Sequence, residues 1–163
     1  MAGRNNITLS LSNTPETSEI LNRLLGDAKG KAEGRIKCTV TKHRIAKTAI
    51  ILGMNILTKR PKEVALRMVE SAAPLRKSGR NNRKMVKTEL VLECSSTQGL
   101  IEAIDKLWRA IGGPVSHRRV TTAALVIGLK SLNEVDPGMV RQLVSKVCPM
   151  ARKYFDKELG EWL

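Results

Sequence analysis

The stretch VTKHRIAKTAIILGMNIL, residues 40–57, lies without a gap on the stretch VSHRRVTTAALVIGLKSL, residues 115–132. The constant shift of 75 residues places Gly53 on Gly128. Apolar residues recur at helical spacing in both stretches, which predicts two helices of the same kind. The match indicates that the chain contains an internal duplication.

The duplication continues upstream with a shift of 83 residues. The segments ITLSLS, residues 7–12, and TELVLEC, residues 88–94, alternate apolar and polar residues, which predicts one β-strand in each unit. Hydroxyl residues that favour a helix N-terminus follow each strand. Apolar residues at helical spacing come next, up to Gly30 in the first unit and Gly112 in the second, where we expect each helix to end.

Three further features accompany the two units. The tetrapeptide GRNN occurs at residues 3–6 and 79–82, although these copies are out of register with the strands. The change of shift from 83 to 75 indicates about eight extra residues in the first unit, around 31–38, which we interpret as a basic loop. A short helix is predicted after each long one, over residues 61–73 and 137–147.

The sequence therefore divides into two units and two accessory segments that we expect to share one core. The predicted boundaries are 1–73 for a first strand-helix-helix unit with an extra short helix, 74–87 for a basic linker, 88–147 for a second strand-helix-helix unit, and 148–163 for a C-terminal amphipathic helix.

One strand followed by two helices leaves the strand with unpaired backbone groups. Two copies solve this problem if their strands pair antiparallel, so the predicted fold class is mainly α with a short two-stranded antiparallel ribbon. Gly53 and Gly128 lie in the middle of predicted helices, where glycine costs about 1 kcal/mol relative to alanine. We expect a close approach of the two helix backbones to compensate for this cost.

Over residues 5–60 and 86–133 this pattern resembles the ribbon-helix-helix DNA-binding family, in particular its fused members with two units in one chain. Such members occur among accessory factors of conjugative plasmid and T-DNA transfer. The resemblance implies an internally duplicated ribbon-helix-helix pseudodimer whose second helices cross at the dyad and whose paired strands enter the major groove. It also implies a monomeric pseudodimer able to associate further on DNA, with partners such as a relaxase.

Charge supports a polyanionic partner. The chain has 29 Lys and Arg and 15 Asp and Glu, a net charge of +14. Residues 1–87 contain 19 basic and 6 acidic side chains, whereas residues 88–163 contain 10 and 9. A one-sided basic surface is typical of proteins that bind nucleic acid, because each phosphate contact releases condensed counterions.

The start of each second helix combines a capping hydroxyl with basic side chains, an arrangement able to bind a phosphate. These candidate DNA-binding residues are Thr41, Lys42, His43 and Arg44 in the first unit and Ser116, His117, Arg118 and Arg119 in the second. The resemblance places them on the DNA backbone and places the outward strand residues Thr8 and Ser10 on base edges. The outward residues of the second strand include Glu89 and Glu93, which repel phosphates unless they accept from cytosine amino groups.

Further basic candidates lie outside the helix starts. They are Arg4, Lys47, Arg80, Arg83, Lys84 and Lys87. We expect neutralisation of Arg80, Arg83 and Lys84 to weaken DNA binding and to flatten its salt dependence.

Metal, cofactor and catalytic chemistry are not indicated. Cys38, Cys94 and Cys148 are far apart, and no C-x-x-C pair or metal-spaced histidine occurs. The sequence also lacks G-x-S-x-G, H-E-x-x-H and P-loop motifs, so we expect no enzyme activity and no cofactor. The longest apolar run, residues 49–54, is far shorter than the roughly 20 residues of a membrane span, and we expect a cytoplasmic protein.

Trp108, Tyr154, Phe155 and Trp162 are the four aromatic residues, and all lie in predicted amphipathic helices. Because single-strand binders stack bases on aromatic side chains, the sequence favours double-stranded DNA as partner. We interpret the chain as a plasmid-transfer accessory factor or a transcriptional repressor. Two alternatives stay open: a nucleoprotein or coat subunit that packages RNA or DNA without sequence preference, and an interaction module for an acidic protein.

Overall fold

The computed structural model describes residues 7–13, 15–33, 40–73, 86–92, 97–112 and 115–146. Two strands and six helices occur in these ranges. In chain order they are β1 (Ile7–Asn13), α1 (Pro15–Ala32), α2 (Lys42–Thr58), α3 (Lys62–Ala72), β2 (Val86–Leu92), α4 (Thr97–Ile111), α5 (His117–Glu134) and α6 (Pro137–Lys146). None of these helices combines the length and the apolar character that crossing a bilayer requires.

Strands β1 and β2 pair antiparallel, with Ile7 opposite Leu92 and Asn13 opposite Val86. In this ribbon Leu11 and Leu90 are buried, which fits the alternation in the sequence. Strand β2 begins two residues before the predicted TELVLEC segment, because pairing with β1 extends to Val86. Lys87 therefore belongs to the ribbon and not to the basic linker.

Helices α2 and α5 cross at the centre of one hydrophobic core that contains residues of both units. A Cβ atom on Gly53 would lie 1.8 Å from the carbonyl oxygen of Ala124, and one on Gly128 would lie 1.6 Å from that of Ala49. The shift of 75 residues converts each contact into the other, so the crossing has pseudo-twofold symmetry. The predicted close approach of the two backbones is confirmed.

The third helix of each unit packs across the pseudo-twofold axis. Helix α3 packs mainly on α5 and α4, and α6 packs mainly on α1 and α2. Ala65 and Val69 of α3 and Val140 and Val144 of α6 are fully buried. Each short helix is therefore an integral part of the core of the opposite unit.

The fold class predicted from the sequence, a mainly α ribbon-helix-helix pseudodimer, is corrected by this packing. A strand and two helices per unit do not describe the architecture, because the described ranges form a six-helix body in which α3 and α6 interlock the two halves. The physical reason is that two crossing helices expose apolar flanks near each end, and the third helices cover them.

Helix α1 also extends beyond its predicted end at Gly30 and finishes at Ala32. Ala32 is fully buried, and the Lys31 ammonium group donates to the carbonyl oxygens of Asn133 and Val135 at the end of α5. These two extra residues are stabilised by this contact, so Lys31 is helical and not part of a basic loop. The second unit behaves as predicted there, since α4 ends before Gly112, which has a φ of 61°.

Substitution of the crossing glycines should be strongly destabilising. We expect Gly53→Ala and Gly128→Ala each to lower the free energy of unfolding by about 3 kcal/mol. The new methyl group would clash with backbone atoms of the opposite helix, and no side-chain rotation can relieve this clash. Gly26→Ala is the matched control, since nothing lies within 4 Å of its Cβ position. In α1 it should raise stability by up to about 1 kcal/mol. Urea unfolding measures all three, and Gly53→Ala with wild-type stability would contradict the close crossing.

Candidate nucleic-acid interface

The second helix of each unit begins with the same hydroxyl cap. The Arg44 backbone N–H donates to Thr41 Oγ1 over 3.2 Å at the start of α2, and the Arg119 N–H donates to Ser116 Oγ over 3.2 Å at the start of α5. Both cap residues have extended backbone conformations. The first turn of a helix has amide groups without an acceptor inside the helix and carries the positive end of the helix dipole, so each N-terminus favours an anion.

The crossing sets the positions of the two N-termini. Because Gly53 meets Ala124 while Ala49 meets Gly128, α2 and α5 run antiparallel and their N-termini lie on opposite sides of the crossing point. Each helix begins nine residues before that point. At 1.5 Å per residue the two N-termini are up to about 27 Å apart. The major-groove width of about 12 Å lies within this upper limit, so the separation is compatible with contacts to both backbones that border one groove.

Accessible positive charge at the helix starts is concentrated in two residues. Lys42 in the first turn of α2 and Arg118 in the first turn of α5 are exposed, as is the cap residue Ser116. Thr41 and the side chains of His43 and Arg44 are half-buried. Lys42 and Arg118 are therefore the predicted site residues best placed to meet a large anion.

The prediction that Lys47 contacts DNA is wrong. Its side chain is 2% exposed, because residue 47 lies on the face of α2 that is buried by the core. The residue at the equivalent position of the second unit, Thr122, is also buried. A burial pattern that repeats in both units indicates that this position belongs to the packing between the helices.

His117 and Arg119 have structural contacts that the sequence did not predict. The His117 ring packs edge-on against Trp108, with ring centroids 5.7 Å apart and an interplanar angle of 74°. Arg119 Nε donates to the carbonyl oxygen of Ala73 over 2.9 Å, and Nη1 is buried without a hydrogen-bond partner. Both side chains are half-buried and thus hold the start of α5 against neighbouring elements.

The remaining candidates fall on the ribbon or outside the described ranges. Thr8 lies opposite Val91, Ser10 opposite the exposed Glu89, and Lys87 opposite Ser12. Thr8 and Ser10 therefore share the ribbon with an acidic neighbour, as the sequence predicted. Arg4, Arg80, Arg83 and Lys84 lie outside the described residues.

Sequence reasoning missed the contacts that hold α5 in place. Trp108 Nε1 donates to the carbonyl oxygen of Val115 over 3.0 Å, which ties α4 to the residue just before the Ser116 cap. No sequence signal marks this contact, because its acceptor is a backbone carbonyl available in any residue. Within the described part of the chain, no group of three His, Cys, Asp or Glu side chains could hold a metal ion.

The chain matches no protein-family model, no curated protein and no solved structure. The resemblance to fused ribbon-helix-helix proteins therefore stays a prediction from the sequence.

The two caps should contribute to stability by the same mechanism. We expect Thr41→Ala and Ser116→Ala each to lower the free energy of unfolding by about 1 kcal/mol, because a first-turn amide loses its acceptor. Ser116→Asp should keep wild-type stability, since aspartate caps as well as serine.

Chemical unfolding checks these values, with Ser71→Ala on the exposed face of α3 as control. Equal stabilities of Ser116→Ala and Ser71→Ala would show that the cap at α5 contributes nothing.

Proposed function

We propose that the chain binds double-stranded DNA through the N-terminal ends of α2 and α5, as a plasmid-transfer accessory factor or a transcriptional repressor acting in the cytoplasm. The observation that carries this proposal is the pair of matched helix starts, each with a hydroxyl cap and an exposed cation, on opposite sides of one rigid crossing. A duplex presents two phosphate backbones, and the pair of ends provides one anion site for each.

Electrostatics favours this partner over an uncharged one. The net charge of +14 attracts polyanions over long range. Contacts at helix N-termini then fix the register of the protein on the duplex without reading its sequence. Sequence preference has to come from other groups, for which the ribbon residues Thr8 and Ser10 are the candidates.

A duplex is a better partner than a single strand. Single-strand binding uses exposed aromatic rings on which bases stack. Trp108, the aromatic residue of the described ranges, is half-buried, donates its indole N–H to Val115 and packs against His117. The Trp108 ring is therefore engaged in contacts within the protein and does not offer an exposed surface for base stacking.

Two other functions can be distinguished by how the protein would behave with nucleic acid. A nucleoprotein or coat subunit would use the same cations to cover RNA or DNA of any sequence and would polymerise on it. A module for an acidic protein would show no DNA binding even at low salt. Selection of bound duplexes from a random pool at physiological salt separates these cases, because a regulator or accessory factor enriches a discrete motif and a packaging protein enriches none.

The cap residues allow a test that leaves the fold intact. Thr41→Asp and Ser116→Asp keep the hydrogen bonds of the caps but put a negative charge where a phosphate would bind. We expect the double variant to unfold like the wild type and to bind duplex DNA at least about tenfold more weakly in a fluorescence-anisotropy titration. Wild-type affinity in this variant would contradict binding at the helix starts.

The salt dependence of binding provides a second prediction. We expect Lys42→Gln and Arg118→Gln each to reduce the slope of log K against log salt by about 0.9, because each removes one phosphate contact. Arg109→Gln is the control, since Arg109 is paired with Asp105 over 3.1 Å on the exposed face of α4. An equal effect of all three variants would indicate that only net charge matters and that no particular site exists.

A further inference from the structure

A cavity of about 440 Å³ opens where the end of α2, the start of α3 and the last turns of α4 meet. Its volume lies in the range of small-molecule sites. The lining residues are Leu57, Thr58, Arg60, Lys62, Ala65, Ala103, Lys106, Leu107, Ala110 and Ile111. This set is separate from the capped helix starts that the proposed function uses.

The internal duplication provides an equivalent junction with which this cavity can be compared. The equivalent junction of the other half lies between α1, α5 and α6, where Val140 replaces Ala65 and Asp27 replaces Ala110. There Asn133, at the position of Thr58, donates through Nδ2 to the carbonyl oxygen of Leu24 over 3.2 Å. Val140 is therefore larger than its counterpart at the cavity, and Asn133 adds a hydrogen bond across its own junction.

Further polar contacts cross the junction of α1, α5 and α6. Lys31 donates to the carbonyl oxygens of Asn133 and Val135, and Arg141 Nη1 reaches the carbonyl oxygens of Lys31 and Glu33 at 3.5 Å. In the junction that contains the cavity, the contacts of the cations are different. Lys62 Nζ lies 3.5 Å from the position that a Cβ atom of Gly112 would occupy, which places the ammonium group at the end of α4.

The chemistry of the lining defines the ligand. Its walls are aliphatic, and its polar side chains are three cations, Arg60, Lys62 and Lys106, with the Thr58 hydroxyl. No aromatic ring is present among these residues to stack a nucleobase, and no carboxylate is present to bind a cation. A ligand complementary to both the aliphatic walls and the cations has an aliphatic chain and one anionic head group.

We propose that this cavity binds an aliphatic carboxylate of medium chain length. The carboxylate lies among Arg60, Lys62 and Lys106, and the hydrocarbon chain packs on Leu57, Leu107 and Ile111. The alanines at 65, 103 and 110 provide the space for the chain. Affinity rises with chain length, by up to about fourfold for each methylene group that is buried.

Isothermal titration calorimetry of the full chain with sodium hexanoate and sodium octanoate tests this site in the absence of DNA. We expect saturable binding of one octanoate, with an affinity several-fold above that of hexanoate, and weaker binding of neutral octanol. Octanol that binds as tightly as octanoate, or a carboxylate that gives no saturable heat, would overturn the proposal.

Variants assign the binding to this cavity. Ala65→Val introduces the side chain found at the equivalent position, Val140, and should reduce octanoate affinity about tenfold. Lys62→Gln with Lys106→Gln changes only exposed side chains, keeps the fold testable if Ala65→Val does not fold, and should weaken octanoate but not octanol. Lys130→Gln, an exposed cation of α5 outside this lining, is the control and should leave binding unchanged.

The same double variant distinguishes a ligand site from an extension of the DNA interface. If Lys62→Gln with Lys106→Gln weakened duplex binding while octanoate gave no heat with the wild type, these cations would belong to the DNA interface and the proposal would be overturned. Octanoate binding by a chain that bound no DNA would leave the cavity assigned and reject the proposed function alone.

Discussion

The contact between the backbones of α2 and α5 determines the rest of the structure. Gly53 and Gly128 have no room for a Cβ atom, since each faces a carbonyl oxygen of the opposite helix. The helices are therefore fixed at one crossing point and in one antiparallel direction. A core this tightly packed has few alternative arrangements, so groups at the helix ends inherit a defined separation.

The proposed interface depends on that separation and on the supports at each end. Helix α5 is held by the Trp108 hydrogen bond to Val115 and by Arg119 on Ala73, and the third helices cover the flanks of the crossing. The duplication has nevertheless diverged. At one junction Asn133 donates a hydrogen bond to Leu24 and Val140 is buried. The equivalent junction has a cavity lined by alanines and cations, so the two halves share an architecture without sharing every surface.

The sequence predicted what depends on periodicity and repetition. The helical spacing gave α2 and α5, the alternation gave β1 and most of β2, and the repeated mid-helix glycines predicted a close crossing that the structure confirms. It could not predict contacts whose partner is a backbone carbonyl, such as those of Lys31, Trp108 and Arg119. The sequence also led to an incorrect prediction for Lys47, because a lysine in a basic stretch is expected to be exposed, whereas this one is buried by the packing of α2. The interlocking of α3 and α6 depends on long-range packing, for which a single sequence carries no signal.

In the proposed complex, the two helix starts that the crossing holds apart contact the two phosphate backbones of a duplex. Phosphate ethylation interference on a duplex recovered by selection tests this claim most directly. We expect two clusters of interfering phosphates, one on each strand, on opposite borders of the same major groove. Interference spread evenly along the duplex, or confined to one strand, would contradict it.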